Sequence, residues 1–210
     1  MTVLGVDRSR GRWVWVRLDD AGEVTAGSVD RLSRLPDAEI TGIDTPLWLP
    51  SGSERRTSER EARRRLGRRS STVFPTFPSW VYEWPKGYEP SLRAAAASRL
   101  GRRPSAQSFH LGPAILEARV AKTDTWIEVH PELAFRIRSD REVPSKRTEE
   151  GVSARSEILE REGIGVPAMD ERVPIDDLLD AAICTVVSRA ALTGRAVAHG
   201  DPASGDVIWG

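Results

Sequence analysis

The stretch Thr2-Val3-Leu4-Gly5-Val6-Asp7 limits the possible folds of this chain more than any other. Its apolar and β-branched residues read as a buried strand, and that strand delivers a carboxylate at its end. An ionised carboxylate is not tolerated in a buried place without a cation or several donors. The fold must therefore bring something to Asp7. A turn at Gly11 and a second apolar run, Trp13-Val14-Trp15-Val16, make a partner strand over 13–18. Residues 23–28 add a third strand across the Asp20-Ala21-Gly22 punctuation.

After a crossover at 30–36, residues 38–44 repeat the theme, an apolar strand ending in Asp44 before Thr45-Pro46. Proline lacks a donor and keeps the preceding residue extended, so the strand stops there. Three antiparallel strands, a crossover and a further strand predict an α/β fold with a mixed sheet. A helix follows at 58–66, where Ser58-Glu59-Arg60-Glu61 has capping-box spacing and Gly67 lies past the end. Glu59–Arg63 and Glu61–Arg65 are spaced as i, i+4 pairs. Residues 70–78 read as an ordered loop, 91–100 as an Ala-rich helix, and 106–121 as a helix that Pro113 kinks or divides.

Residues 126–131 read as a strand carrying Glu128 and His130 on one face, since side chains alternate along a strand. A polar helix occupies 144–161. It begins either near Lys146 or, more favourably for the helix dipole, at Thr148 with Glu149 and Glu150 in its first turn. The clearest helix is 175–192, with Ile175, Leu178, Leu179, Ala182, Ile183, Val186 and Val187 at helical spacing. Residues 206–209 close the chain as an edge strand.

The 210 residues suit one domain, 1–210, with an insertion over roughly 47–123. Thirty-one basic and thirty-one acidic residues balance, so total charge does not announce a nucleic-acid partner, although local arrangement still can. All but three of the basic residues (Lys86, Lys122 and Lys146) are arginine, the side chain that grips phosphate bidentately. Cys184 stands alone in an apolar helical pattern and reads as a buried small hydrophobe, which excludes an intrachain disulfide. No stretch is long and apolar enough for a membrane span or a secretory leader, so the expected place is the cytoplasm.

The chemistry-bearing candidates are acidic. Asp7 and Asp44 end two strands, Glu128 lies in a third, and Asp177 and Asp180 share one face of the late helix. Each alone reads as a cap, a turn residue or a solvated charge. Gathered at one side of the sheet, they would raise one another's proton affinity unless cations intervened, and all-oxygen ligation suits Mg²⁺ or Mn²⁺. His130 is either a proton shuttle or a hydrogen-bonded structural residue. Arg60, Arg63, Arg64, Arg68 and Arg69 form a basic patch that reads as a phosphate contact or as a solvated helix face. The aromatics at 74–88 either stack on bases or fill a satellite core.

These blocks together resemble the DUF429 family of uncharacterised proteins, described as predicted ribonuclease-H-like nucleases. The matching stretches are Gly5-Val6-Asp7-x-x-x-Gly11-x-Trp13-Val14, Ile43-Asp44-x-Pro46-x-x-Leu49, Arg60-Glu61-Ala62-Arg63-Arg64-x-Leu66-Gly67 and Ser70-Ser71-x-Val73-Phe74-Pro75. Glu128-Val129-His130-Pro131-Glu132, Ser145-Lys146-x-Thr148-x-x-Gly151 and Asp177-x-x-Asp180-Ala181 complete the set. The resemblance implies a ribonuclease-H-like fold, with carboxylates at the end of the first strand, on the fourth strand and on a late helix. Those roles fall on Asp7, Asp44 and Asp177 or Asp180, with Glu128 beside them. Where the family often carries Pro-Lys-Ile, this chain has Pro113-Ala114-Ile115, so a lysine that would meet phosphate is missing.

The expected function is a Mg²⁺- or Mn²⁺-dependent phosphodiester hydrolase, a nuclease, acting on nucleic acid or a nucleotide. Asp7, Asp44, Asp177 and Asp180 would be metal ligands, with Glu128 and His130 near the reaction. Arg64, Arg69 and Lys146 would face the substrate. A phosphotransferase binding a nucleoside phosphate, or a non-catalytic interaction protein, would use the same fold.

Overall fold

A computed structural model describes residues 1–139, 142–167, 169 and 173–210. The elements follow the chain as β1 (Val3–Ser9), β2 (Arg12–Leu18), β3 (Val24–Val29) and β4 (Ile40–Ile43). Helices α1 (Thr57–Leu66), α2 (Ser79–Tyr82), α3 (Pro90–Leu100), α4 (Ala106–His110) and α5 (Gly112–Ala121) lie between β4 and β5 (Trp126–Glu128). Then come α6 (Pro131–Ile137), α7 (Glu149–Arg161), α8 (Ile175–Leu192), β6 (Ala198–Asp201) and β7 (Asp206–Trp209).

The main sheet runs β3-β2-β1-β4-β5. Its first three strands are antiparallel, while β4 and β5 lie parallel to β1. The β1–β2 hairpin turns on Arg10 and Gly11, both at positive φ (47° and 85°), the pairing that matches the right-handed twist of two strands joined by a tight turn. The mixed sheet with helices on both faces is the ribonuclease-H-like arrangement. Strands β6 and β7 form a separate hairpin, attached to the end of β5 by a bridge between Val129 and Trp209.

Two cores cover the two faces of the sheet. On one, Val3, Val14 and Val16 meet α8 and residues of α6 and α7. On the other, Leu4, Val6, Trp13 and Ile43 meet Ala114 and Ala118 of α5. Helix α8 approaches the sheet so closely that a methyl group at Gly5 would lie 2.1 Å from the Ala181 carbonyl oxygen. One at Gly42 would lie 2.6 Å from Ser188 Oγ. The Thr185 and Ser188 hydroxyls donate to the carbonyls of Val16 (2.8 Å) and Leu4 (2.9 Å), so the helix is hydrogen-bonded to the sheet as well as packed on it.

Several local expectations change. The capping box at Ser58 does not form: Ser58 Oγ donates to Asp206, and Arg56 occupies the cap. Glu59 binds the Thr76 amide (2.7 Å) and Glu61 the Gly200 amide (2.6 Å), partners distant in sequence that replace the i, i+4 arginines. Residues 126–131 are not one strand. Proline at the start of a helix loses no hydrogen bond, so Pro131 opens α6 instead of merely ending β5, and His130 caps it. The helix at 106–121 is divided at Leu111. Helix α7 begins after Thr148, whose hydroxyl caps the Gly151 amide, leaving Lys146 in the preceding loop. The aromatic stretch fills a satellite core of Phe77, Val81 and Tyr82 against α3 and Ile115. Among the described residues no helix is long and apolar enough to cross a membrane.

Candidate active site

The parallel pairing of β1 and β4 sets Val6 opposite Ile43, and the Asp44 amide donates to the Val6 carbonyl at 3.0 Å. Asp7 and Asp44 therefore leave neighbouring strands at the same level. Each lies two residues beyond a glycine that α8 covers, so both face α8. Asp180 directly precedes Ala181, whose carbonyl sits over Gly5. Three aspartates thus collect under α8 at the carboxyl ends of two parallel strands, the edge of an α/β sheet where ligands are commonly bound.

Little compensates them. Burial, then Asp44, Asp180 and Asp177, raise the Asp7 carboxyl well above the ordinary range. Burial pushes Asp44 up to about 7, with Glu128 and Glu132 adding to it against the pull of Lys146. Asp180 is also pushed up to about 7 by burial, although Lys146 opposes the shift. The Lys146 ammonium lies 2.5 Å from Asp180 Oδ2 and 3.7 Å from Asp176. Burial works against its charge, but Asp180, Asp7 and Asp176 more than offset this. Asp180 Oδ1 is shielded from solvent and has no hydrogen-bond partner. Asp177, bonded to Ser9, is raised by partial burial.

These donors have the chemistry of a hard-cation site: all are oxygen, their charges repel, and one buried oxygen is orphaned. As the side chains stand, however, they are not drawn into one ligand set. Among the described residues no group of three or more His, Cys, Asp or Glu side chains is arranged to hold a metal ion. Lys146 neutralises Asp180 instead.

The other candidates are placed elsewhere. In the β4–β5 register Glu128 sits opposite Ile43, so it leaves the face of the sheet opposite α8, although it lines a cavity with Asp44. Both its oxygens bind Arg56, at 2.7 and 2.9 Å, and it accepts the Leu47 amide at 2.8 Å. The ring of His130 is occupied at both nitrogens, with Nδ1 accepting from the Leu133 amide and Nε2 against the Thr72 carbonyl, each at 3.3 Å. Burial lowers its pKa, which suits the neutral ring. Arg69 pairs with Glu132 at 3.0 Å, while Arg64 is exposed on α1.

Arg56 is the residue that sequence reading passed over. It is 1% exposed and also binds Asp206 through Nε at 3.0 Å. Ser58 and the Thr57 amide complete the shell of Asp206, and together with Arg56 they hold its pKa below the usual range despite burial. Glu132, which the sequence offers either as a loop-stabilising residue or as an outer metal ligand, pairs with Arg69 through one oxygen and with the fully buried Arg155 through the other, at 2.7 Å. An Asp or Glu far along the chain is the only sequence signal of such a partner, and dozens of choices fit it.

Residues 5–204 match the model of a family described as "Protein of unknown function (DUF429)". No curated protein and no solved structure matches the chain.

Proposed function

The chain belongs to the DUF429 family, and from that premise we propose that it is a divalent-metal-dependent phosphodiester hydrolase, a nuclease, with its reacting centre at Asp7, Asp44 and Asp180. The observation that carries this reading is the buried aspartate cluster, which has one lysine for charge balance and an unpartnered oxygen on Asp180. Asp7, Asp44 and Asp180 would hold Mg²⁺ or Mn²⁺, with Asp177 beside them. A bound ion of this kind polarises a phosphodiester and lowers the pKa of an attacking water.

The chain's own groups do the rest. Ser9 orients Asp177, and Lys146 holds Asp180; with a cation held by the aspartates, Lys146 would be free to meet a phosphate oxygen. Arg64 and Arg69, carried by the inserted segment 47–123, meet substrate charge farther out. Glu128 and His130 take no part in the reaction, because their polar atoms are committed to Arg56, Leu47, Thr72 and Leu133.

Calorimetry with Mg²⁺ and Mn²⁺, followed by cleavage assays on a panel of nucleic acids, tests the reading. Loss of a residue that merely supports a metal ligand costs about 10–100-fold, so Asp7→Asn is expected to cost more than about 100-fold in cleavage. Unchanged metal-dependent cleavage in Asp7→Asn would refute the mechanism. The Lys146–Asp180 pair favours a second reading, a non-catalytic protein whose acids are neutralised internally; absence of metal uptake in calorimetry would select it.

A further inference from the structure

Helices α1 and α6 pack together through Leu66, Leu133 and Ile137, and a cavity of about 220 Å³ opens where they end. Arg65 lines it from the last turn of α1 and Arg136 from the last turn of α6. Gly67, at positive φ (56°), turns the chain after α1, and Arg68 and Arg69 line the same cavity. Four guanidinium groups thus converge on one concavity.

The acids around them do not balance this charge. Glu132 and Glu142 are the carboxylates on the wall. Glu132 already holds Arg69 at 3.0 Å and the buried Arg155 at 2.7 Å, while Glu142 is exposed. Arg65 and Arg68 are exposed and have no hydrogen bond or ion pair among the described residues. Arg136 gives one nitrogen to the Ser139 carbonyl, a neutral acceptor, at 3.1 Å and keeps the other donors of its fork. A helix C-terminus is equivalent to about half a negative charge. With Arg155, five guanidinium groups therefore stand against two carboxylates and two helix ends, a surplus of roughly two positive charges. Arginines that only answered the helix dipole would stop at the last turn of α1, and Arg68 and Arg69 lie beyond it.

We infer that this cavity is an anion site that takes a phosphate group, gripped from α1, the turn after it and α6. Guanidinium binds phosphate oxygens through paired hydrogen bonds. A cavity of about 150 Å³ holds one benzene, so the larger volume here admits a phosphate group with some of its water. The cavity lies beside the aspartate cluster, because Glu132 on its wall helps to raise Asp44 and Asp180. Thr72, at the end of the turn that carries Arg68 and Arg69, lines a neighbouring cavity with Asp44. A strand cleaved at the aspartates would present another of its phosphates on this side. That source rests on the hydrolase reading; the binding of a phosphate group does not.

Titrations of the full chain in EDTA separate the two ideas, because they need neither metal nor cleavage. The probes are inorganic phosphate and a short single-stranded oligonucleotide. Arg65→Gln/Arg68→Gln, at exposed positions, is expected to keep the melting temperature and to weaken both probes at least about tenfold, since hydrogen bonds to charged groups are lost. The salt dependence of strand binding, log K against log salt concentration, is expected to lose about 0.7 of its slope, the share of one phosphate on a single strand. Arg103→Gln/Arg119→Gln removes the same charge from exposed residues outside the cavity and is expected to leave phosphate binding unchanged. Absence of phosphate binding, or a loss in the cavity variant no larger than in this control, would overturn the inference.

A 5′-mononucleotide then distinguishes the sources. A single strand that binds more tightly than the mononucleotide assigns the phosphate to nucleic acid, and the reverse assigns it to a free phosphate ester; either supports the site. Phosphate binding that depends on Arg65 and Arg68, without any metal-dependent cleavage, would remove the hydrolase reading and leave this one standing. Cleavage in a protein that binds no phosphate here would do the opposite.

Discussion

Asp206 and Asp180 are both buried aspartates beside a basic side chain, and they behave in opposite ways. Asp206 shares Arg56 with Glu128, takes the Ser58 hydroxyl and the Thr57 amide, and has its pKa held down. Asp180 shares one partly exposed lysine with Asp176, faces Asp7 and Asp44, and keeps one oxygen without a partner. The first arrangement is well compensated: both carboxylates bind the one Arg56 guanidinium and take further well-placed donors from Leu47, Thr57 and Ser58, which is the condition for buried ions to hold together. The second is deficient by roughly two positive charges. A fold able to satisfy one group of acids so thoroughly leaves the other group short, and that shortfall is what the hydrolase proposal builds on.

The contrast breaks first at Arg56. Arg56→Met strands Glu128 and Asp206 in the interior and is expected to lower unfolding stability by about 3–5 kcal/mol, measured by urea denaturation. A loss below about 1 kcal/mol would show that this network is no better compensated than the aspartate cluster.

Acidity probes the other side of the comparison. Asp44 and Asp180 have folded pKa values near 7, above the unfolded carboxylate value of about 3.9. The native state therefore binds the extra protons, and its stabilisation is complete below about pH 4 and lost as pH rises through about 7. In EDTA, stability is expected to fall by roughly 2–4 kcal/mol between pH 5 and pH 8, with Mg²⁺ or Mn²⁺ flattening the decline. Asp206 has the opposite sign, since its lowered pKa adds stability that disappears only in acid. Stability rising from pH 5 to pH 8 would mean that the two regions are electrostatically alike.

The smallest expected effect sharpens the difference. Asp7→Asn removes one repelling charge, so the metal-free protein at pH 8 is expected to gain about 1–2 kcal/mol, read as a higher melting temperature in EDTA. At Asp206 the equivalent substitution has no repulsion to relieve. A destabilised Asp7→Asn would place Asp7 among the compensated acids.

The aspartate cluster was legible in the sequence because each of its parts is announced locally. Apolar strands end at Asp7 and Asp44, glycines sit two residues earlier where α8 must come close, and the helical period carries Asp180 to the sheet. The Arg56 network was not legible. Its partners lie 72 and 150 residues away, and no local pattern marks Arg56 as different from its neighbour Arg55. Glu128 was misplaced for a related reason: the face on which a strand residue projects depends on register, and a slip of one residue reverses it. His130 was read as strand because proline ends strands, although the same proline also begins helices. Lys146 was singled out by its poor fit to a helix start, and the loop conformation together with Asp180 explains that misfit.

Gly5 and Gly42 leave no slack between α8 and the strands beneath it. The strands and α8 are consequently packed backbone to backbone beside the three aspartates. The most direct rearrangement that would let a cation in is a swing of the Lys146 side chain away from Asp180. Rotamer changes of exposed residues take picoseconds to nanoseconds, so admission of an ion would be governed by exchange of its hydration shell and by the strength of one ammonium–carboxylate contact, and the rest of the protein would hold still while it happened.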